Sequence, residues 1–233
     1  MRSTRLPGKV LLPLPLCGAT TVLGHVVGRA QQLQPGQQVV VATSDQPADD
    51  PLAAAAANLG AGVFRGDEQD VLGRFCAALA HHDADTVVRL TADNPAIDPA
   101  CLRAAVAHHL AAGADYTCTT GLPLGTNVEI IAAGALRRAA AAAIRPEERE
   151  HVTPYLRRHP EQFRLAELRL RVPDAVALLR LTLDYPSDYA LLDLLYSQLP
   201  TDFSLSDPEG LPALLARYPW LAEINSQNTQ VQP

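Results

Sequence analysis

The chain has 233 residues, a formal net charge of −6, and 48% hydrophobic residues. This length suits one large α/β domain with a substantial core, and the acidic balance argues against a protein that neutralises nucleic-acid phosphates. Four cysteines without a Cys-x-x-Cys pair argue against a zinc site or a disulfide framework and favour reduced thiols in the cytoplasm.

The beginning of the chain resembles an export signal at first sight. Basic residues precede an apolar run over residues 10–27, but Pro13 and Pro15 interrupt this run, and Arg29 follows closely. No uninterrupted apolar run reaches the length of about 18 residues that a membrane span needs. We therefore expect neither a signal peptide nor a membrane-spanning segment.

Hydrophobic periodicity and capping residues predict alternating helices and strands along the chain. Strands are predicted at 38–43, 62–65, 85–90, 115–119, 127–131, 163–171 (antiparallel and half-exposed) and 179–183. Helices are predicted at 20–33 with a threonine cap, 49–60, 67–80 with Asp67 as cap, 99–112 with Asp98 as cap and Gly113 at its end, 132–144, 147–158, 187–199 and 208–217.

This alternation predicts an α/β fold with a doubly wound, mainly parallel, Rossmann-like sheet. Residues 1–225 are expected to form a single domain, and the polar residues 226–233 a loose tail. Right-handed crossovers would bring the loops at the carboxyl ends of the parallel strands to one rim of the sheet.

Two aspartates occupy that rim. Asp93 follows the strand at 85–90, and Asp184 follows the strand at 179–183. Ligands bind beyond the carboxyl ends of strands in such sheets, and carboxylates there can hold a divalent metal on a phosphate. Each aspartate alone is also ordinary turn chemistry, so the prediction depends on the two side chains meeting.

Several stretches, in matching order, resemble the signature sequences of sugar-activating cytidylyltransferases of the acylneuraminate and deoxy-octulosonate types. The similarity is strongest to the spore-coat-polysaccharide branch of that family. Each stretch alone carries little information, but together they are specific and cover nearly the whole chain. The stretches are residues 3–11, 40–43, 64–74, 91–95, 149–155 and 181–189.

The resemblance implies a nucleotide-diphospho-sugar transferase fold with a small sugar-side arm at about 121–175. It implies transfer of CMP from CTP to a sugar or sugar acid for surface or spore-coat polysaccharide, with Mg²⁺ as cofactor and release of pyrophosphate. A homodimer through residues 163–171 is possible, and no nucleic-acid or membrane partner is expected. The implied catalytic residues are Lys9 and Arg5, the nucleotide-binding residues Ser3, Gly8, Asp70 and Arg74, the substrate-binding residues Asn127, Glu129, Glu150 and His151, and the metal ligands Asp93 and Asp184.

The sequence departs from the family pattern in three places. The family has a hydrophobic first strand and then Ala-Arg-Met before the loop; here Met1 stands at that methionine, so the fold is expected to lack its first strand and we expect a start upstream. Four lost buried apolar side chains would cost about 6–12 kcal/mol, comparable with the whole stability of a domain. Ala92 replaces a usual glycine, and Asn127 replaces a frequent aspartate, which leaves the sugar open.

Two other functions remain open. A nucleotide-sugar-dependent glycosyltransferase would use a similar sheet, although it usually carries an Asp-x-Asp pair and Thr91 precedes Asp93 here. A non-catalytic nucleotide- or sugar-binding relative is the other alternative, because the arginine is absent. Arg74 could instead pair with Asp70 at i, i+4 on a helix surface, and His151 could be structural.

Overall fold

The computed structural model of the protein describes residues 5–33, 36–82 and 84–229. Six strands span Val40–Ser44 (β1), Gly62–Gly66 (β2), Thr86–Arg89 (β3), Tyr116–Thr120 (β4), Glu129–Ala132 (β5) and Leu165–Arg169 (β6). Ten α-helices lie in the described ranges: Val22–Ala30 (α1), Asp50–Asn58 (α2), Val71–Ala80 (α3), Pro99–Ala112 (α4), Ala133–Ala142 (α5), Pro146–His151 (α6), Pro154–Arg158 (α7), Asp174–Ala177 (α8), Pro186–Gln198 (α9) and Leu211–Arg217 (α10).

The strands form two sheets. β1 and β2 pair in parallel, and the second sheet has the order β3-β5-β4-β6. In the second sheet β5 runs antiparallel to both of its neighbours, whereas β6 runs parallel to β4. Strands that alternate with helices along the chain confirm the α/β, Rossmann-like fold class.

Two strand predictions were wrong. β6 is parallel to β4 and not antiparallel; the alternation in its sequence reports one exposed face, and such a face is compatible with either direction. Residues 179–183 form no strand, because the backbone of Leu179 and Leu181 bonds to Leu124 around a single bridge between Leu124 and Arg180.

Local capping signals gave several helix ends correctly. The Thr21 hydroxyl accepts from the N–H of Gly24 at 3.1 Å, and Asp98 accepts from the N–H of Ala100 at 2.8 Å. Gly113 ends α4 in the left-handed region at φ 56°, a conformation that favours glycine. These interactions span at most a few residues, which is why the sequence pattern reports them.

Two helix predictions need correction. Asp70, and not Asp67, caps α3 by accepting from the N–H of Gly73 at 2.8 Å, while Asp67 closes the preceding turn onto the N–H groups of Gln69 and Asp70. The helix predicted over 147–158 is divided into α6 and α7, because Val152 adopts φ 72° between them.

A buried apolar cluster holds the segment around Asp184 in place. Leu181 and Leu183 are fully buried together with Leu191 and Leu195 of α9 and Leu14 of the amino-terminal loop. The carboxyl-terminal segment and the amino-terminal loop therefore share one core, which fixes the loop against the start of α9.

None of the described helices is long and apolar enough to cross a membrane. All four cysteines are free thiols. Burial raises the pKa of Cys101 to about 12 and also raises the pKa values of Cys76 and Cys118. These three thiols therefore behave as small core side chains and not as reactive groups.

Candidate active site

The site begins at a tight turn in the amino-terminal loop. Gly8 has φ 69°, and a Cβ added there would meet no atom within 4 Å, so the turn requires glycine for its backbone conformation and not for space. Lys9 follows directly and starts a short 3-10 turn, Lys9–Leu11. The turn that positions Lys9 therefore depends on the backbone conformation of the preceding residue, Gly8.

The structure brings Lys9, Asp93 and Asp184 together, as predicted. Lys9 Nζ lies 2.5 Å from Asp93 Oδ2 and 2.9 Å from Asp184 Oδ1. The Lys9 side chain is only 12% exposed, and its ammonium group faces two carboxylates. We call these three residues the Lys9 cluster.

Arg5 joins the Lys9 cluster from the more exposed side. Its Nη2 donates to Asp184 Oδ1 at 3.0 Å, its Nη1 donates to the Tyr185 hydroxyl at 3.2 Å, and its guanidinium lies 4.8 Å from the centre of that ring. The hydrogen bond with Tyr185 raises the pKa of Arg5 although burial opposes this, and the charge of Asp184 adds to the rise. Arg5 therefore stays cationic beside the carboxylate.

Arg180 is a site residue that the sequence analysis missed. Its Nη2 donates to Asp184 Oδ2 at 2.9 Å and its Nε to Asp188 Oδ1 at 3.0 Å, and all three side chains are at least nine-tenths buried. Both carboxylate oxygens of Asp184 are thus bound by cations. The sequence does contain a signal for this role, because a single arginine inside the apolar run 177–183 indicates a buried ion-pair partner.

Asp188 is the anchor beneath this network. Its Oδ2 accepts from the backbone N–H groups of Asp184 and Tyr185, both at 2.9 Å. Burial raises the pKa of Asp188, but these hydrogen bonds, with those from Asn228 and Arg180, lower it below the ordinary value. An acidic residue in the first turn of a helix that opens with Pro186 is a sequence signal for this role.

The prediction of a loose tail from residue 226 was wrong for its first part. Asn228 Nδ2 donates to Ser187 Oγ and to Asp188 Oδ1, each at 2.8 Å. Asn225 Nδ2 donates to Asp188 Oδ1 and to the Arg180 carbonyl, each at 2.9 Å. The last residues of the chain are polar and show no hydrophobic periodicity. The side-chain amides of Asn225 and Asn228 are nevertheless bound to the buried carboxylate of Asp188. Residues 230–233 lie outside the described ranges.

Asp70, predicted to bind the nucleotide, pairs with a residue other than Arg74. Asp70 forms an ion pair with Arg149. Burial raises the pKa of Asp70, but the hydrogen bonds from Arg149 and Gly73 lower it further than burial raises it. Arg74 donates to the backbone carbonyl of Asp67 at 2.7 Å, so the suggested i, i+4 pair with Asp70 was wrong. Ser3 lies outside the described residues.

Glu129 is engaged by the protein itself. Its carboxylate accepts from Arg89 Nη1 at 2.5 Å, from the Tyr116 hydroxyl at 2.6 Å and from Thr153 Oγ1 at 2.8 Å. These partners come from β3, β4 and the start of α7, so Glu129 ties the sheet to the helices. Arg89 was a second residue that sequence reasoning did not single out.

The remaining predicted substrate residues differ in their surroundings. Asn127 donates to the Leu122 carbonyl at 3.2 Å and accepts from Thr119 Oγ1 at 3.3 Å. Glu150 is exposed and His151 is half-buried on α6. Among the described residues, no hydrogen bond or ion pair links either of these two side chains to the Lys9 cluster.

Comparison with known proteins decides the family. Residues 1–200 match the family model described as cytidylyltransferase. The chain belongs to the cytidylyltransferase family. The chain is 37% identical over 225 residues to the spore coat polysaccharide biosynthesis protein SpsF of Bacillus subtilis, covering 94% of this chain and 92% of that protein.

Solved structures of cytidylyltransferases agree with the fold. A cytidylyltransferase from Leptospira borgpetersenii superimposes with a TM-score of 0.85 at 30% identity, over 99% of this chain and 94% of that chain. A CMP:2-keto-3-deoxy-manno-octonic acid synthetase in complex with CTP superimposes with a TM-score of 0.62 at 17% identity, over 84% of this chain and 94% of that chain. The second similarity concerns the fold alone.

Proposed function

We propose that this cytidylyltransferase transfers CMP from CTP to a sugar or sugar acid used for a surface polysaccharide. The observation that carries the proposal is the position of Lys9 Nζ between the carboxylates of Asp93 and Asp184. The name of the Bacillus subtilis relative supports the polysaccharide role. CTP and the sugar are thus the expected partners.

The reaction needs positioned charge more than covalent chemistry. A sugar hydroxyl attacks the α-phosphorus of CTP in line, the bond from that phosphorus to the bridging oxygen breaks, and pyrophosphate leaves. Lys9 and Arg5 would neutralise charge that develops on the departing pyrophosphate. The N–H of Gly8 would approach the phosphates closely, because no side chain shields it.

Lys9 is singular in the composition of the chain. It is the only lysine, and the other 18 of the 19 Lys and Arg residues are arginines. An ammonium is a compact point charge, whereas guanidinium is a wide planar fork. The narrow space between two carboxylates therefore suits a lysine, and exchange of these carboxylates for phosphate oxygens would need only a rotation of its stem.

The carboxylates of the Lys9 cluster fit Mg²⁺ held jointly with substrate. The described residues contain no group of three or more His, Cys, Asp or Glu side chains that could hold a metal alone, but Mg²⁺ commonly takes one or two carboxylates with phosphate oxygens and waters. Asn94 Oδ1, one residue after Asp93, is buried without a partner among the described residues. When bound by Asp93 and Asp184, the ion would neutralise triphosphate charge.

The sugar half of the site remains a proposal for Asn127, Glu150 and His151. The side-chain oxygen of Asn127 accepts a long hydrogen bond of 3.3 Å from Thr119. The amide can therefore turn toward a sugar hydroxyl at little cost in free energy. Glu129 is expected to act by positioning, since three protein donors already occupy its carboxylate.

A cytoplasmic location suits the free thiols, and a homodimer through β6 would use its second, outward edge.

The lone lysine makes a direct test possible. An amine-reactive acylating reagent would modify Lys9 and the terminal amine only, and the modified site can be read by peptide mass spectrometry. We expect CTP with Mg²⁺ to protect Lys9 and acylated protein to lose CTP-dependent pyrophosphate release with a panel of sugar acids. ATP should protect poorly.

Two outcomes would contradict the proposal. Full activity after complete acylation of Lys9 would remove its catalytic role. Protection by UDP-sugars and none by CTP would favour a glycosyltransferase, and CTP protection without pyrophosphate release for any sugar would favour a binding protein. An Arg138→Gln variant serves as control, because Arg138 pairs with Asp115 on the surface away from the cluster.

A further inference from the structure

The loop that follows Asp93 is buried although it has no regular secondary structure. Residues 95–99 are all buried, and the next helix begins only at the end of this stretch. A buried loop must find partners for its backbone groups away from water. In the described ranges, no backbone N–H donates to the carbonyl of Pro95 or of Ile97. These two carbonyls therefore depend on side chains for their hydrogen bonds.

Tyr196 binds the first of these carbonyls. Its hydroxyl donates to the Pro95 carbonyl oxygen at 2.8 Å, and the residue is almost fully buried. Burial raises the pKa of Tyr196 to about 12, with Arg29 opposing the rise, so the phenol keeps its proton at neutral pH and remains a donor. Tyr196 lies on α9, which begins just after Asp184. One helix therefore connects the two segments that carry the aspartates.

Arg29 of α1 binds the second carbonyl. Its Nη1 donates to the carbonyl oxygens of Ile97 at 3.0 Å and Phe203 at 3.1 Å, and its Nη2 donates to that of Thr201 at 2.9 Å. Burying a charged guanidinium is costly unless it is hydrogen-bonded, and here the acceptors are backbone carbonyls from two separate segments. Arg29 therefore ties the Asp93 loop to the segment that follows α9.

His25 extends these contacts to the loop that carries Lys9. His25 and Arg29 lie one helical turn apart on α1, so their side chains share a face. His25 Nε2 lies 2.6 Å from the Leu14 carbonyl oxygen, and the centre of its ring lies 4.3 Å from the centre of the Tyr196 ring. A buried group of three polar side chains thus contacts both loops from which the Lys9 cluster is built.

We propose that Arg29 and Tyr196 are positioning residues, which hold the Asp93 loop by its carbonyl groups and thereby place the Asp93 carboxylate against Lys9. The inference rests on the proposed role of Asp93 at the triphosphate of CTP. Both side chains act through the backbone, because they bind carbonyls of the loop beyond Asp93. Misplacing a reacting group by about 1 Å can cost about 10²-fold in rate, so contacts at this remove control the reaction.

Two variants test the contacts separately. Tyr196→Phe removes one hydroxyl and keeps the ring, which packs against the rings of His25 and Phe203. Arg29→Lys keeps a cation, but a compact ammonium cannot reproduce a planar fork that spans carbonyls of two segments. Tyr196→Phe changes the packing least and is therefore the deciding variant.

A matched control loses a buried hydrogen bond elsewhere. Thr117→Val removes the contact between Thr117 Oγ1 and His109 Nδ1, which lie 2.9 Å apart. His109 is near the end of α4, roughly 15 Å along the helix from Pro99 at 1.5 Å per residue. Thr117→Val and Tyr196→Phe each lose one buried hydrogen bond, but only the second loses it at the Asp93 loop.

Two measurements are made on the whole chain. Amide hydrogen exchange compares Leu183, whose N–H donates to the Asp93 carbonyl, with Leu181, whose N–H donates to the Leu124 carbonyl. A general loss of stability speeds exchange at both amides alike, whereas loosening of the Asp93 loop speeds it at Leu183 alone. Steady-state pyrophosphate release gives kcat and the KM for CTP.

We expect Tyr196→Phe to raise the ratio of the Leu183 to the Leu181 exchange rate at least about fivefold. It should lower kcat by about 10–100-fold and change the KM for CTP less. Arg29→Lys should act in the same direction, and Thr117→Val should change neither the ratio nor kcat.

An unchanged exchange ratio in Tyr196→Phe would overturn the inference, as would a fall in kcat no larger than that of Thr117→Val. The exchange measurement uses neither CTP nor a sugar. It therefore decides whether Tyr196 holds the Asp93 loop even where no sugar supports pyrophosphate release by the parent chain, and so its failure is distinguishable from failure of the proposed function.

Discussion

The backbone N–H of Leu183 donates to the backbone carbonyl oxygen of Asp93 at 2.9 Å. This bond joins two loops that lie ninety positions apart in the chain. It holds the backbone next to Asp184 against the backbone of Asp93, so the two carboxylates are fixed relative to each other before any ligand arrives. Such preorganisation is what charge stabilisation in phosphoryl transfer requires.

Replacing Lys9 by arginine should not rescue function. A Lys9→Arg variant keeps the charge, but its planar fork cannot occupy the position of an ammonium between Asp93 and Asp184. We expect kcat for CTP-dependent pyrophosphate release to fall by about 10²–10³, as for loss of one preorganised donor. Lys9→Met should fall at least as far. Activity of Lys9→Arg near that of the parent chain would argue against this geometry.

Replacing Asp184 should lower the free energy of unfolding more than replacing Asp93 does, although both replacements should lower activity. Asp93 contacts Lys9 and is 24% exposed, whereas Asp184 is 10% exposed and binds three cationic side chains. Asp184→Asn should lower the free energy of unfolding by about 1–3 kcal/mol, and Asp93→Asn by less than about 1 kcal/mol. Urea unfolding measures both. Equal losses of unfolding free energy in the two variants would show that the buried contacts of Asp184 add nothing to stability beyond what the contact of Asp93 with Lys9 provides.

Arg180 should matter for stability as well as for the site. Arg180→Met leaves the carboxylate of Asp188, which is 0% exposed, with one cation fewer, and breaking a buried pair costs about 3–5 kcal/mol. The matched Arg138→Met change removes a surface pair with Asp115 and should cost at most about 1 kcal/mol. Denaturant midpoints compare the two variants. A cost for Arg180→Met no larger than for Arg138→Met would contradict the assignment.

His25 predicts a pH dependence of stability. Burial lowers the pKa of His25, the nearby Arg29 lowers it further, and the Leu14 carbonyl, which lies 2.6 Å from Nε2, opposes this. The unfolded chain therefore takes up this proton first as the pH falls. The stability from neutral His25 is complete above about pH 6.5 and is lost as the pH falls below it toward the lower, folded-state pKa.

A His25→Gln variant tests this dependence, because its amide can still reach the Leu14 carbonyl but does not titrate. We expect urea midpoints measured from pH 8 to pH 5 to fall less steeply in His25→Gln than in the parent chain. His81→Gln, at an exposed position, should keep the parent slope. Identical slopes for His25→Gln and the parent would contradict the prediction.

Sequence reasoning performed best where the deciding contacts are local. Asp98 and Thr21 cap their helices through N–H groups two or three residues away, and the glycine at 113 ends a helix through its own φ. It performed worst where direction or continuity depends on a neighbour, as for β6 and for residues 179–183. The alternation of β6 is a property of one strand, but its direction belongs to the pair that it makes with β4.

The sequence by itself determined the family, the order of helices and strands, and the candidacy of Lys9, Asp93 and Asp184, because short motifs and capping patterns are written in neighbouring residues. Only the tertiary structure decided that one ammonium meets both carboxylates, that Arg180 lies between Asp184 and Asp188, and that β6 runs parallel to β4. Those facts join residues far apart along the chain, and the path of the backbone between them is set by how the apolar faces of all the elements pack together.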